Sequence, residues 1–176
     1  GQPICVLLLA RELEQFILRE QAEDLLRSPA VVAVDPPRVR YGAMARLPRP
    51  AAAALATWQA KRLVRRLRSD RGEPLVVVIF HPLQLPLAEA IQADCSGCEI
   101  WYSRWDRYEL AYDATPERRQ RLAELHEKAS KASSLTFAVS DTLVEIETAA
   151  GREALLVTTP ADSFPAPQVD GTVVAV

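Results

Sequence analysis

Three uninterrupted apolar runs punctuate the middle of the chain. Leu75-Val-Val-Val-Ile-Phe80 stops at His81-Pro82, Glu99-Ile-Trp-Tyr102 breaks at Ser103-Arg-Trp-Asp106, and Leu135-Thr-Phe-Ala-Val139 ends at Ser140-Asp141. Helical patterns separate them. Continuous β-branched and aromatic runs, rather than alternating ones, mark strands covered on both faces. Strands alternating with helices at this spacing predict an α/β fold, a three-layer Rossmann-like domain with a mostly parallel sheet. In such sheets ligands bind beyond the carboxyl ends of the strands. His81, Asp106, Ser140 and Asp141 all fall there.

The flanking segments extend the alternation. Ile4–Leu9 reads as a first, central strand, Arg11–Arg27 as a helix with an imperfect apolar stripe, and Val31–Val34 as a second strand halted by Asp35-Pro-Pro37. Arg38–Pro50 reads as a loop. From Ala51 to about Arg71 a long helix is expected, with Ala53, Ala56, Ala60, Leu63, Val64 and Leu67 on its buried side. Leu83–Ala93 forms a short helix with an irregular start at Pro86, and Arg104–Tyr112 is a loop or a broken helix. Thr115-Pro-Glu117 opens a helix whose buried side is Leu122, Leu125, Ala129 and Ala132. Ser140 or Asp141 caps another helix that Gly151 ends, and Ala154–Val157 is a last short strand. The proline-bearing stretch Thr158–Gln168 reads as a linker, and Val173–Val176 as the beginning of a further strand. The expected organisation is one domain over residues 1–167, with 168–176 leading into a missing second domain. Gly1, in place of an initiator methionine, fits a trimmed chain.

Composition narrows the classes. At 176 residues the chain is long enough for one domain with its own core. A net charge of −2 argues against general nucleic-acid binding. No apolar run approaches the roughly 20 residues needed to span a bilayer, and no secretory leader is recognisable. Cys5, Cys95 and Cys98 form an odd set with no disulfide framework, which fits a reducing compartment. Cys95-Ser-Gly-Cys98 has redox-motif spacing, but it precedes a strand, whereas a thioredoxin-like pair opens a helix. A zinc site would want a second pair. The remaining reading is a structural turn, and no metal site is expected. No Gly-x-Gly-x-x-Gly follows the first strand, so a dinucleotide cofactor of the usual kind is not expected.

Several side chains carry candidate chemistry, each beside a plainer alternative. His81 would hydrogen-bond a ligand at a strand end, or cap the turn at Pro82. Asp106, beyond a strand end, would lie where a ligand binds, or cap a helix. Ser140 and Asp141 would cap a helix whose N-terminus would also hold an anion. Arg11 follows the first strand and reads as a surface arginine. Trp58 sits among Lys61, Arg62, Arg65 and Arg66, opposite the apolar side of the long helix. A tryptophan flanked by cations suits an interfacial membrane contact, with Trp58, Arg62 and Arg65 facing lipid. The plainer alternative is a solvated basic face.

The order of these segments resembles the N-terminal, acceptor-side domain of bacterial GT-B fold glycosyltransferases of the family 4-type, group 1 kind. Arg19-Glu-Gln-Ala-Glu-Asp-Leu25 followed by Val32-Ala-Val-Asp-Pro-Pro37 is similar to their first helix and second strand. Ile100-Trp-Tyr-Ser-Arg-Trp-Asp106 resembles their "V-Y-D-x-x-D" segment, with Ser103 in place of the first Asp. Glu127–Leu143 resembles "E-x-x-L-x-x-A-D-x-V-x-x-V-S-x-x-L", with Ser134 in place of the Asp, and Val157–Phe164 a worn "V-P-N-G-V-D-x-x-x-F". The resemblance implies transfer of a sugar from a nucleotide-sugar donor to a hydroxyl acceptor in cell-surface polysaccharide or glycolipid synthesis. It implies His81 and Asp106 as catalytic candidates, with Arg11, Ser140 and Asp141 binding a sugar or lipid-linked acceptor. The nucleotide-sugar would bind a C-terminal domain, so no cofactor is expected in this one and the domain alone would be inactive. The expected location is the cytoplasm, with peripheral contact at the inner face of the membrane. Two other classes remain: a non-catalytic binding module, which fits the βα alternation, and a membrane-docking module, which fits the Trp58 helix and the worn motifs.

Overall fold

The computed structural model describes residues 3–15, 19–70, 72–105, 107, 110 and 115–157. Among them, strands β1 (Ile4–Leu8), β2 (Val31–Val34), β3 (Pro74–Ile79), β4 (Glu99–Arg104), β5 (Leu135–Ala138) and β6 (Ala154–Leu156) form one sheet in the order β2-β1-β3-β4-β5-β6. Every pairing is parallel. Helices α1 (Arg19–Leu26), α2 (Tyr41–Met44), α3 (Arg49–Asp70), α4 (Leu85–Asp94), α5 (Pro116–Ala132) and α6 (Asp141–Ala149) lie between the strands. The α/β, three-layer, Rossmann-like class expected from the alternation is the observed one.

The strand order explains the layers. The chain starts in the sheet, steps one way from β1 to β2, then reverses and adds β3 to β6 on the other side. Right-handed crossovers put the helices of the two directions on opposite faces. Accordingly Ala22 of α1 packs with Leu7, Leu9, Val76, Val78 and Phe80. The alternate residues Val6, Leu8, Val77, Ile79, Ile100 and Tyr102 point to the other face. There they meet Ala60, Val64 and Leu67 of α3, Leu87, Ala88 and Ile91 of α4, and Ala129 of α5. The reversal of direction falls between β1 and β3. That is the switch point where a parallel sheet opens a crevice at its carboxyl edge.

Local signals set the element ends. Pro50 falls in the first turn of α3, where a missing N–H costs nothing. Pro86 does the same for α4, behind a 3₁₀ turn at Pro82–Gln84, which is the irregular start expected there. Thr115 Oγ1 accepts from Arg118 N at 3.3 Å and caps α5. Gly151 ends α6 with φ +73°, a backbone conformation that favours glycine. Cys95-Ser-Gly-Cys98 is a tight turn with Gly97 at φ +81°. Its two thiols are buried.

Four expectations change. The helix expected over Arg11–Arg27 is a 3₁₀ turn at Leu13–Gln15 and then the 8-residue α1; residues 16–18 are outside the described set. Only Ala22 of its described side chains is buried, because a helix over the short edge strand β2 has little sheet to cover. The stretch Arg38–Pro50 is not all loop: Tyr41 and Met44 are buried and wind the single turn α2. On α3, Ala53 is exposed while Ala56, Ala60, Val64 and Leu67 are buried. On α5 the buried line is His126, Ala129 and Ser130, with Leu122 and Leu125 half-buried and Ala132 exposed. Two polar side chains go inward there because β4 and α6 supply their partners. The linker Thr158–Gln168 and the strand at Val173–Val176 lie outside the described residues.

Candidate functional site at the carboxyl edge

Gln84 organises the switch point. Its side chain is fully buried and spans the carboxyl ends of β1 and β3. Nε2 donates to Leu8 O at 2.7 Å, and Oε1 accepts from Phe80 N at 2.7 Å and from His81 N at 2.9 Å. An amide suits the place because it alone offers a donor and a two-lone-pair acceptor on one planar group. It satisfies three backbone groups that the ends of two strands would otherwise strand in a buried place.

His81 is held by the same turn. Leu83 N donates to His81 Nδ1 at 3.2 Å. An accepting Nδ1 carries no proton, so the neutral ring carries its proton on Nε2. Burial lowers the His81 pKa below the ordinary histidine value, which keeps the ring neutral near pH 7. His81 is therefore the capping histidine of this turn, and its side chain is half-buried.

Behind it lies a second imidazole. The His126 ring centroid is 6.5 Å from that of His81, and its Nδ1 shares a short hydrogen bond with the Tyr102 hydroxyl. His126 and Tyr102 are 2% and 1% exposed, so neither meets solvent in this arrangement. Trp105 Nε1 donates to Phe80 O at 3.3 Å and ties the segment after β4 to the end of β3. Asp106 follows immediately and lies outside the described residues.

A buried charge cluster braces β4 against α5 and α6. Glu147, fully buried, accepts from Arg104 Nη1 at 2.6 Å and Ser130 Oγ at 2.9 Å through Oε1. Its Oε2 accepts from Arg152 Nε at 2.6 Å. Arg152 in turn forks onto Glu127 at 2.8 and 3.0 Å. Burial alone would raise the Glu147 pKa, but the hydrogen bonds from Arg152, Arg104 and Ser130 outweigh it and hold the carboxyl below its ordinary value. Both carboxylate oxygens accept from these partners, so the cluster is a brace.

The other sequence candidates are spread out. Arg11 is exposed just past β1, the strand beside β3. Ser140 Oγ accepts from Leu143 N at 3.4 Å and caps α6, with Asp141 exposed in its first turn. Both sit beyond β5, two strands away from His81. Trp58 is 57% exposed, and Arg62 lies over its ring with Cζ 5.6 Å from the centroid. Arg65 faces a separate recess with Lys61, Arg68 and Asp94. The Cys95 and Cys98 thiols have raised pKa values through burial, that of Cys98 to about 11. A thiolate suited to redox work or metal binding would need the opposite shift. Among the described residues no group of three His, Cys, Asp or Glu side chains could hold a metal ion, and no helix is long and apolar enough to cross a membrane.

Sequence inspection missed Gln84, the Tyr102–His126 pair and the Arg104–Glu147–Arg152 cluster. Only Gln84 had a local signal: it stands three residues after His81 in the pattern of a capping box, and both halves of that box are formed.

No protein-family model, no curated protein and no solved structure matches this chain.

Proposed function

We propose that this chain is the acceptor-side domain of a GT-B glycosyltransferase, which moves a sugar from a nucleotide-sugar to a hydroxyl in cell-surface polysaccharide or glycolipid synthesis. The observation that carries the proposal is the position of His81. It stands at the β1/β3 switch point, half-buried and neutral, where a parallel sheet places its ligand. The ordered series of family-like segments supplies the reaction class, and the fold accommodates them: the helix-and-strand pair is α1 and β2, and the segment ending in Asp106 is β4 with its exit.

The tautomer refines the role of His81. With Nδ1 accepting from Leu83 N–H, the neutral ring carries its proton on Nε2. It would hydrogen-bond an oxygen of the sugar or the acceptor and would not remove a proton. Proton removal falls to Asp106 in this proposal. The nucleotide-sugar would be held by a C-terminal domain, and Arg11 would lie at the acceptor side of the cleft. Ser140 and Asp141 would line the same edge further along the sheet. The enzyme would work in the cytoplasm, with peripheral contact at the inner face of the membrane on the Trp58 side of α3.

The test is transfer by the polypeptide of the complete reading frame. His81→Ala should lower turnover about tenfold or more, the cost of one hydrogen bond to a developing charge. His81→Gln, which keeps a donor, should recover part of it. Asp106→Asn should lower turnover further than His81→Ala. Unchanged turnover in His81→Ala and Asp106→Asn would sink both assignments.

A further inference from the structure

A groove of about 550 Å³ runs between the outer side of α3 and the loop after β2. Its lining combines two chemistries. Leu55, Trp58 and Leu63 offer apolar and aromatic surface, while Arg62 and Arg66 from α3 join Arg38 from the loop. Asp35 is the one carboxylate on the lining, so the groove is net positive. Gln59 adds an acceptor whose Oε1 is buried and has no hydrogen-bond partner among the described residues.

The helix spacing makes the cationic side deliberate in geometry. Trp58, Arg62 and Arg66 succeed one another at four-residue intervals and form a single stripe. Arg62 lies over the Trp58 ring, which pre-positions its guanidinium. Like charges at this interval destabilise a helix. No ion pair with another described residue relieves Arg38, Arg62 or Arg66. An anion in the groove would supply the missing charge. Guanidinium forks match phosphate oxygens in shape as well as sign.

We propose that this groove binds an organic phosphate. The phosphate sits on Arg62 and Arg66, with Arg38 closing from the loop. The apolar or aromatic part of the ester lies along Trp58, Leu55 and Leu63. Arg65, on another side of the helix, takes no part. The site stands on the groove alone and does not depend on sugar transfer. The same chemistry belongs to a soluble phosphate ester and to an anionic phospholipid headgroup.

Two assays separate these sources. One is calorimetric titration of the chain with phenyl phosphate. The other is co-sedimentation with vesicles of phosphatidylcholine, alone or mixed with phosphatidylglycerol. Both are run on the parent chain, on Arg62→Gln/Arg66→Gln, and on Arg121→Gln, an exposed cation on α5 outside the groove. Circular dichroism checks that each variant is folded. Saturable binding of phenyl phosphate assigns the groove to a soluble ester. Sedimentation only with phosphatidylglycerol, without phenyl phosphate binding, assigns it to a headgroup. In either case the double variant should bind about tenfold more weakly or worse, as expected for losing charge-assisted bonds, and Arg121→Gln should match the parent. Binding of neither probe overturns the proposal. So does binding that Arg121→Gln weakens as much as the double variant.

Discussion

Replacing Gln84 with Leu is the sharpest probe of how the carboxyl edge is held. The change keeps the volume close and deletes all three polar contacts, leaving Leu8 O, Phe80 N and His81 N without the partner that spans them. At about 1 kcal/mol net per hydrogen bond the loss is about 3 kcal/mol. For a chain of this length that lowers the midpoint of thermal unfolding by roughly 6–12 °C. Urea unfolding followed by circular dichroism gives the free energy directly, with an unchanged slope if the unfolded state is unaffected. Gln84→Glu can still accept from Phe80 N and His81 N, but as a carboxylate it turns an acceptor toward Leu8 O, so at neutral pH it should be less stable than the parent. A cost under about 1 kcal/mol for Gln84→Leu would refute the assigned role, since one hydrogen bond alone accounts for that much.

Glu147→Gln should destabilise by about 3 kcal/mol, because it removes the charge facing two arginines in a buried place. In the parent, the depressed Glu147 pKa contributes stability present above the unfolded value of about 4.3 and lost as pH falls through the folded value. Denaturation at a series of acidic pH values should show that loss in the parent and not in the variant; parallel curves would contradict it. Cys95 and Cys98 should alkylate with iodoacetamide far more slowly at pH 7 than a free thiol, because burial hides them and raises both pKa values. Rapid labelling of either in the folded chain would contradict the buried turn. Tyr102→Phe should cost about 1 kcal/mol by removing the hydroxyl from His126 Nδ1, measured by the same urea unfolding; no change would mean that the pair contributes nothing to stability.

The strands were legible because a parallel sheet covered on both faces needs unbroken apolar runs, and β1, β3 and the start of β4 are such runs. The caps at Thr115 and Ser140 and the stop at Gly151 were legible because each acts within four residues of itself. What was hidden depends on distance. Arg104 and Glu147 are 43 residues apart, and nothing near either announces the other. Without that partner the inward side of α5 looked apolar at Leu122 and Leu125. The real inward line holds His126 and Ser130, whose polarity is answered by Tyr102 and Glu147. The turn α2 was hidden because two buried side chains, Tyr41 and Met44, are too few to display a helical period. At the candidate site His81 was readable from its place at a strand end. Gln84 was not singled out, although it holds the backbone on which His81 sits.

The most direct measurement is release of nucleotide from a panel of nucleotide-sugars by the complete polypeptide, with and without a lipid extract as acceptor source. The proposal expects one donor to be turned over, more with acceptor than without, and His81→Ala to slow it while the variant stays folded. Release that is absent for every donor, or that His81→Ala leaves unchanged, would contradict transfer at the carboxyl edge of this sheet.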